Sequence, residues 1–503
     1  MGRGQSLRHL LKDLADVTAA NDCDVHGITI DSREISVGDL FIAYRGERTD
    51  GTQYIQDAIA AGAVAVVFDG DIDAVAVNQV PTIQVSELQR KVGVIAARFF
   101  AQPSQQLWMV GITGTNGKTS CCHFLSQALQ LNGDQCGVMG TLGYGLPGAL
   151  QLATHTTPNP VVLQSHLKEM VDAGASSVVM EASSHALEQA RVAAVAFDVA
   201  VFTNLTRDHL DYHGDLEAYG AAKQTLFEMP GLSHAVINRD DDFGVQLLAA
   251  LPTSVDAVAY GLLHASQDAG ALLAADVRGV YGEVIRLDEA GIKIRVVTSW
   301  GEGVLHSKHL LGAFNASNLL AVLSVLLLKG LSFEKALALL AQVGNANGRM
   351  ERLGGVGGQP LVVIDYAHTP DALQNVLLAL RDHCRGRLVC LFGCGGDRDR
   401  GKRSLMGAVA AQYADEIVIT DDNPRFEDAA LIVRDIMMGI ETTKKVTVIH
   451  ERAAAIRIAL KSSTAADVVV VAGKGHESFQ RVAEQKLPFN DRECVLAILR
   501  EVA

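Results

Sequence analysis

The chain has 503 residues, 49% of them hydrophobic and 20% charged, with a formal net charge of −14. That length suggests about three domains with cores of ordinary size. The acidic balance argues against a nucleic-acid or anionic-membrane partner, so an anionic substrate must be met by local groups. The opening MGRGQSLRHLLKDLAD lacks the apolar stretch of a secretory signal, and no apolar run approaches the roughly 18 residues of a membrane span. The expectation is a cytoplasmic protein without a membrane segment. The eight cysteines form no C-x2-C pair and read as reduced, mostly buried thiols. Cys390 and Cys394 have no second Cys or His pair at ligand spacing, which argues against a metal there.

In chain order, GITI (27–30), DLFIAY (39–44) and AVAVVF (63–68) read as short strands with helices between them. The polar AQPSQQ (101–106) reads as a linker. From residue 107 to about 345, LWMVGIT, SSVVME, DVAVFTN and HAVIN alternate with helical patterns, which implies a parallel sheet with crossover helices. QVGNANGR (342–349) reads as a second linker. Beyond it PLVVIDY (360–366), RLVCLFG (387–393), EIVIT (416–420), KVTVIH (445–450) and DVVVVAG (467–473) again alternate with helices, a second open α/β domain.

LWMVGITGTNGKTS places a strand, a glycine-rich turn and a helix pattern in succession. Free N–H groups at such a helix start cradle phosphates, Lys118 can reach the β- and γ-phosphates, and Thr119 or Ser120 can offer a hydroxyl to Mg²⁺. The spacing departs from the strict phosphate-loop pattern, since Ile112 stands where the first glycine belongs and Gly111 and Gly114 flank it. The alternative is a glycine turn with an exposed lysine. Glu181 ends the strand of VVMEASSHAL, where a carboxylate suits Mg²⁺ beside phosphates or is an ordinary strand-end acid. Asp208, His209, Asp211 and His213 follow another strand. Asn315 and Asn318, in GAFNASNLLAV, share one face of a helix start, where capping is the simpler role. Asp365 ends the strand of VVIDYAHTPDAL and could bind ribose hydroxyls. DDNPRFED (421–428) is a turn after the buried strand ADEIVIT. It presents Arg425 at the carboxyl end of a strand, where open α/β sheets bind ligands.

The run GTNGKTS resembles the Mur ligase superfamily, which also contains folylpolyglutamate synthetase and joins carboxylates to amines using ATP. The other motifs follow in family order, so the resemblance covers essentially the whole chain. It implies an α/β fold of three domains: a small N-terminal α/β UDP-binding domain (1–105), a central P-loop parallel-sheet ATPase domain (106–345) and a C-terminal Rossmann-like α/β domain that binds the amino acid (346–503). It implies ATP binding by Gly114, Thr115, Asn116, Gly117, Lys118, Thr119, Ser120, Asn315, Asn318, Arg349 and Asp365. Mg²⁺ would be held by Thr119, Glu181, His209 and a carbamylated Lys223, a residue that by itself reads as a solvated helix lysine. Lys118, Glu181, His209 and Lys223 would carry the catalysis.

Within the superfamily the resemblance narrows to members that add meso-diaminopimelate to UDP-N-acetylmuramoyl-L-Ala-D-Glu. The UDP-muramoyl dipeptide would meet Ile30, Ser32, Glu47, Arg48, Thr49, Thr156, Thr157, Ser183, Gln189 and Arg191. The diaminopimelate would meet Arg398, Asp422, Asn423, Pro424, Arg425, Gly473 and Glu477. The chemistry agrees with DNPR as the recognition turn, because a guanidinium can grip the distal carboxylate that L-lysine lacks. Small departures are Ser120, where a second threonine is common, and Ala182 within EASSH. Neither removes a needed functional group. The implied partners are small molecules, with no nucleic acid or membrane, and the implied state is a monomer. The competing readings are the same ligase chemistry on L-lysine or a folate-type acceptor, and a nucleotide-binding scaffold with a dead site. Arg425 and the N-terminal domain argue against the first, and the intact Lys118, Thr119, Glu181, His209 and Lys223 set against the second.

Overall fold

A computed structural model of the chain describes residues 4–46, 49–70, 80–151, 153, 155–263, 269–273, 277–288, 291–308, 310, 312–346, 348–381, 383–441 and 444–502. It divides into two compact units, Met1–Thr113 with Gly133–Ala200 and Ala222–Ser233, and Gly114–Asn132 with Val201–Ala221 and His234–Ala503.

The first unit opens with a four-stranded parallel sheet, Gly27–Thr29, Asp39–Ala43, Ala65–Phe68 and Thr82–Gln84, paired in sequence order. Successive strand residues point to opposite faces. Leu40, Ile42, Ala65 and Val67 therefore join one core, and Phe41, Ala43, Val66 and Phe68 join another. Both faces are covered, which is why these strands read as unbroken apolar runs. The helix Leu88–Phe99 closes the first core with Leu88, Val92, Ile95 and Ala96, the spacing of one helical stripe. Trp108–Thr113, Ser177–Glu181 and Cys136–Gly140 then pair in parallel, with Gly143–Gly145 returning antiparallel against the last.

In the second unit His234–Asn238, Asp256–Leu262 and Arg278–Asp288 are parallel. Gly291–Thr298 and Gly301–Ser307 extend them as an antiparallel meander. The parallel strands are those expected for the central region, and the meander is an addition to them. The last sheet has the order Glu351–Gly354, Leu361–Asp365, Val468–Ala472, Leu388–Phe392, Glu416–Ile419 and Lys445–Val448. Its first strand is antiparallel and the rest are parallel, with cores on both faces.

Both expected linkers are packed rather than free. In 101–106 Pro103 and Ser104 are buried, and the Ser104 hydroxyl accepts the Ala196 N–H at 3.1 Å. In 342–349 Val343 and Ala346 are buried, and Gln127 exchanges two hydrogen bonds with the Gly344 backbone. The cysteines are free, with Cys121, Cys122, Cys136, Cys390 and Cys394 buried. Burial pushes the Cys390 and Cys394 thiols up to about 12. Among the described residues, no helix is long and apolar enough to cross a membrane.

One ion network ties the Arg425 turn to the helix Gly401–Tyr413. Fully buried Arg403 donates to both carboxylate oxygens of Glu427, at 3.0 and 2.8 Å, and to Asp435 at 2.9 Å. The Arg403 hydrogen bond holds the Glu427 carboxyl down to about 2, from an ordinary 4.5. A folded value below the unfolded one means that the contribution is present above about pH 4.5 and disappears as pH falls through about 2. Unfolding midpoints should fall across that window, and Glu427→Gln should flatten the dependence there.

Candidate active site

Gly114 and Gly117 shape the phosphate loop. Both have positive φ, +142° and +89°. A Cβ on Gly114 would meet the Thr203 hydroxyl at 1.9 Å, and one on Gly117 the Asn318 amide oxygen at 2.6 Å. The loop is braced from residues 203–206. Thr115 N–H donates to Asn204 O at 2.8 Å, Asn116 N–H to Asn204 Oδ1 at 2.9 Å, and the Thr203 hydroxyl to Asn116 O at 2.6 Å. Lys118 begins the helix Lys118–Asn132, and its Nζ donates to Gly114 O and Thr115 O at 2.8 and 2.9 Å. The ammonium therefore sits over its own loop, at a helix N-terminus suited to phosphate.

Asn116, Gly117, Ser120, Asn315, Asn318, Arg349 and Asp365 line one cavity in the second unit. Arg349 donates to the Thr119 hydroxyl at 3.1 Å and lies 4.5 Å over the Tyr366 ring. Asp365 accepts the Met350 N–H at 2.7 Å. Burial pushes its carboxyl up, with Arg349 opposing. Asn318 donates to Asn315 Oδ1 at 3.1 Å, so both amides are buried and mutually oriented rather than simple caps. Sequence reasoning missed Phe314, Tyr366, Asp371 and Asn375 in this cavity. Asp371 accepts from the Asn116 side chain at 2.9 Å and could have been noticed as the acid opening the helix Pro370–Arg381.

His209 occupies the left-handed region at φ +54°. Its neighbour Asp208 is buried and meets Lys402 at 3.3 Å and His209 and His368 at 3.5 Å each. Burial opposes ionisation of Asp208, yet the His368 hydrogen bond and the surrounding cations hold its carboxyl well below the usual range. Lys402 and His368 carried no sequence signal toward Asp208, since only the fold brings them there.

In the first unit Glu181 is buried. Its carboxylate accepts the Thr141 N–H at 2.8 Å and the Thr141 hydroxyl at 3.2 Å. A Cβ on Gly140 would meet Glu181 Oε1 at 2.3 Å, so only glycine lets this carboxylate lie there. The Thr141 and Thr156 hydroxyls are 3.1 Å apart. The Thr157 hydroxyl donates to Glu181 O at 2.7 Å and accepts from Ser183 N–H, while Arg191 donates to Thr157 O at 2.9 Å and to Gln189. Thr156, Thr157, Ser183, Gln189 and Arg191 are thus one connected group around Glu181. Lys223 is only 1% exposed, which overturns its reading as a solvated helix lysine. Ile30, Ser32 and Thr49 line a separate cavity of about 1250 Å³ in the same unit. Glu47 and Arg48 lie outside the described residues.

The Arg425 turn is tied down by hydrogen bonds, its N–H donating to Arg481 O at 3.1 Å and its carbonyl accepting the Ala483 N–H at 2.7 Å. Arg425 has φ +54° and pairs as a β-bridge with Val482. Its guanidinium donates to Gly396 O at 2.7 Å. Burial, then the nearby Arg398, lowers its proton affinity. Asp422 and Asn423 are buried and Arg398 is exposed. Gly473 has φ +106°, and a Cβ there would meet Asp422 Oδ2 at 2.7 Å. The Asn423 side chain donates to Glu477 Oε2 at 2.8 Å.

Three family models match in order: the Mur ligase family, catalytic domain, over residues 24–100, the Mur ligase middle domain over 112–326, and the Mur ligase, glutamate ligase domain, over 348–475. UDP-N-acetylmuramoyl-L-alanyl-D-glutamate–2,6-diaminopimelate ligase of Coxiella burnetii is 48% identical over 97% of this chain and 98% of the relative. The chain belongs to the Mur ligase family. A protein of the same name from Ectopseudomonas mendocina is 50% identical to this Mur ligase over 93% of each chain. A solved structure, also of a UDP-N-acetylmuramoyl-L-alanyl-D-glutamate–2,6-diaminopimelate ligase, matches it with a TM-score of 0.69 and 32% identity over 99% of both chains.

Proposed function

We propose that this Mur ligase adds meso-diaminopimelate to UDP-N-acetylmuramoyl-L-Ala-D-Glu, driven by ATP, in peptidoglycan precursor synthesis. The observation that carries the reading is its 48% identity, along 97% of the chain, to a ligase named for those substrates. The half-buried Arg425, held in a hydrogen-bonded turn, supports the choice of amino acid. The three matched segments support domain divisions near residues 105 and 345.

In this reading the loop Gly114–Ser120 and Arg349 hold the ATP phosphates, Asp365 with Asn315 and Asn318 holds the rest of the nucleotide, and Lys118 stabilises the transferring phosphoryl group. A D-Glu carboxylate attacks the γ-phosphorus, giving an acyl phosphate and ADP. The amine of diaminopimelate then attacks the acyl carbon, a tetrahedral intermediate forms, and its collapse leaves an amide and inorganic phosphate. Ile30, Ser32 and Thr49 hold the uridine end, and Glu47 and Arg48 join them in this reading. Thr156, Thr157, Ser183, Gln189 and Arg191 hold the muramoyl peptide. Arg398, Asp422, Asn423, Pro424, Arg425, Gly473 and Glu477 hold the diaminopimelate.

The Thr119 hydroxyl and the Glu181 carboxylate are oxygen donors of the kind Mg²⁺ accepts, His209 would add an imidazole nitrogen, and the burial of Lys223 suits a carbamate, whose anionic oxygens replace a repelling ammonium. When bound, Mg²⁺ neutralises phosphate charge. The reading further implies a cytoplasmic monomer acting on small molecules, with no nucleic-acid partner.

Phosphate release with Mg²⁺, ATP and UDP-N-acetylmuramoyl-L-Ala-D-Glu tests it. Meso-diaminopimelate should drive release and L-lysine should not. Losing the charge-assisted grip in Arg425→Ala removes roughly 1.5–3 kcal/mol, so kcat/KM for diaminopimelate should fall about 10–150-fold. Equal release with lysine would reduce DNPR to an ordinary turn, and no release with either would favour a dead site.

A further inference from the structure

Lys474 lies between two glycines in AGKGHES, and its side chain is 0% exposed. Gly473 and Gly475 both have positive φ, +106° and +54°. A Cβ on Gly475 would meet Gly348 O at 2.7 Å, so the chain on both sides of Lys474 is tightly packed. Its ammonium has two acceptors, Glu477 Oε2 at 2.7 Å and Asn423 Oδ1 at 3.2 Å. Asn423 Oδ1 also accepts the Arg481 N–H at 2.8 Å, which fixes the amide so that its Nδ2 faces Glu477. The Glu477 N–H donates to Lys474 O at 3.0 Å, closing the turn that brings the two side chains together.

Both side-chain bonds to Glu477 fall on Oε2. Among the described residues Oε1 receives no hydrogen bond, although a carboxylate has about four acceptor sites. Glu477 remains 22% exposed at its side chain, within electrostatic reach of half-buried Arg425. A buried ammonium is costly unless it is matched, so Lys474 and Asn423 together hold this carboxylate in one orientation. We propose that Lys474 is a positioning residue that fixes Glu477 Oε2 so that Oε1 takes the distal ammonium of the incoming amino acid. This rests on the diaminopimelate reading. In it Arg425 meets the distal carboxylate and Glu477 the ammonium on the same carbon, and Lys474 keeps the two receptors in register.

The test compares meso-diaminopimelate with 2-aminopimelate, which keeps the distal carboxylate and lacks the distal ammonium, using the full-length chain and its Lys474→Met variant. KM for meso-diaminopimelate should rise about tenfold in the variant, the scale of one charge-assisted hydrogen bond. KM for ATP, and KM for 2-aminopimelate, should stay within about twofold, a difference too small to represent such a bond. An equal rise for both amino acids, or no rise for either, overturns the proposal. Should Lys474→Met fail to fold, Lys474→Gln, which keeps a polar group of similar reach and loses the ammonium, is judged by the same two outcomes. A wild-type chain that turns over neither amino acid overturns the ligase reading itself and this inference with it, whereas an active wild type with an indifferent variant overturns only the inference.

Discussion

Replacing Lys118 by alanine is expected to lower kcat by about 10²–10³-fold, the usual loss when one preorganised electrostatic group is removed from a transferring centre. The ammonium lies 2.8 and 2.9 Å from the carbonyls of Gly114 and Thr115, so it both closes the loop and places a cation at the start of the helix Lys118–Asn132. Charge accumulates on the transferring phosphoryl group, and a cation fixed by the fold stabilises it without reorganising. Lys118→Arg restores charge but brings a planar fork to a site that uses a compact ammonium, so recovery should be partial. Steady-state phosphate release gives kcat, and ADP titration separates binding from chemistry. An alanine variant with unchanged kcat would return this segment to a glycine turn carrying an incidental lysine.

The fold was legible where burial is two-sided. Runs such as DLFIA and VVVVA lie in parallel sheets covered on both faces, so their composition alone announces them. Strand ends were overrun by a residue or two, as at Ile30 and Thr420, because apolar composition continues past the last ladder bond. The meander Gly291–Ser307 was not read, because it alternates buried and exposed residues in place of the solid runs found elsewhere. The linkers were misread because glycine, asparagine and serine suggest freedom, while Ser104 and Gly344 are tied by partners 92 and 217 positions away.

Site residues divided along the same line. Gly114 and Gly117 sit in a local strand–turn–helix context that the sequence displays directly. The burial of Lys223 and the pairing of Lys402 with Asp208 depend on where distant elements pack. A lysine in sequence carries no mark of burial, since solvent is its usual place. The left-handed backbone of Arg425 was equally hidden. Arginine has no preference for that region, and the conformation is held by the bridge to Val482.

Asp491→Ala should cost about 3–5 kcal/mol of stability, the range for breaking a buried ion pair by removing one partner. Arg452 and Asp491 are both 0% exposed and meet in a fork, Nε to Oδ1 and Nη2 to Oδ2, each at 2.8 Å. Arg452 Nη2 also donates to Ala472 O at 3.0 Å, at the end of the strand that leads into Gly473 and Lys474. Alanine would leave a guanidinium buried with only that carbonyl. The loss should therefore exceed that of the half-exposed pair Arg381 and Asp415, where screening keeps the contribution near 0–1 kcal/mol. Denaturant unfolding measures both. The double change Arg452→Met with Asp491→Leu separates charge from packing. It removes both ions, so most of the lost stability should return, because the penalty in the single variant is the unmatched cation rather than the absent attraction. If the double variant is as unstable as Asp491→Ala, the fork acts through its bond to Ala472 and not through charge balance. In that case the turn that begins at Gly473 should loosen with it, and KM for meso-diaminopimelate should rise in both variants alike.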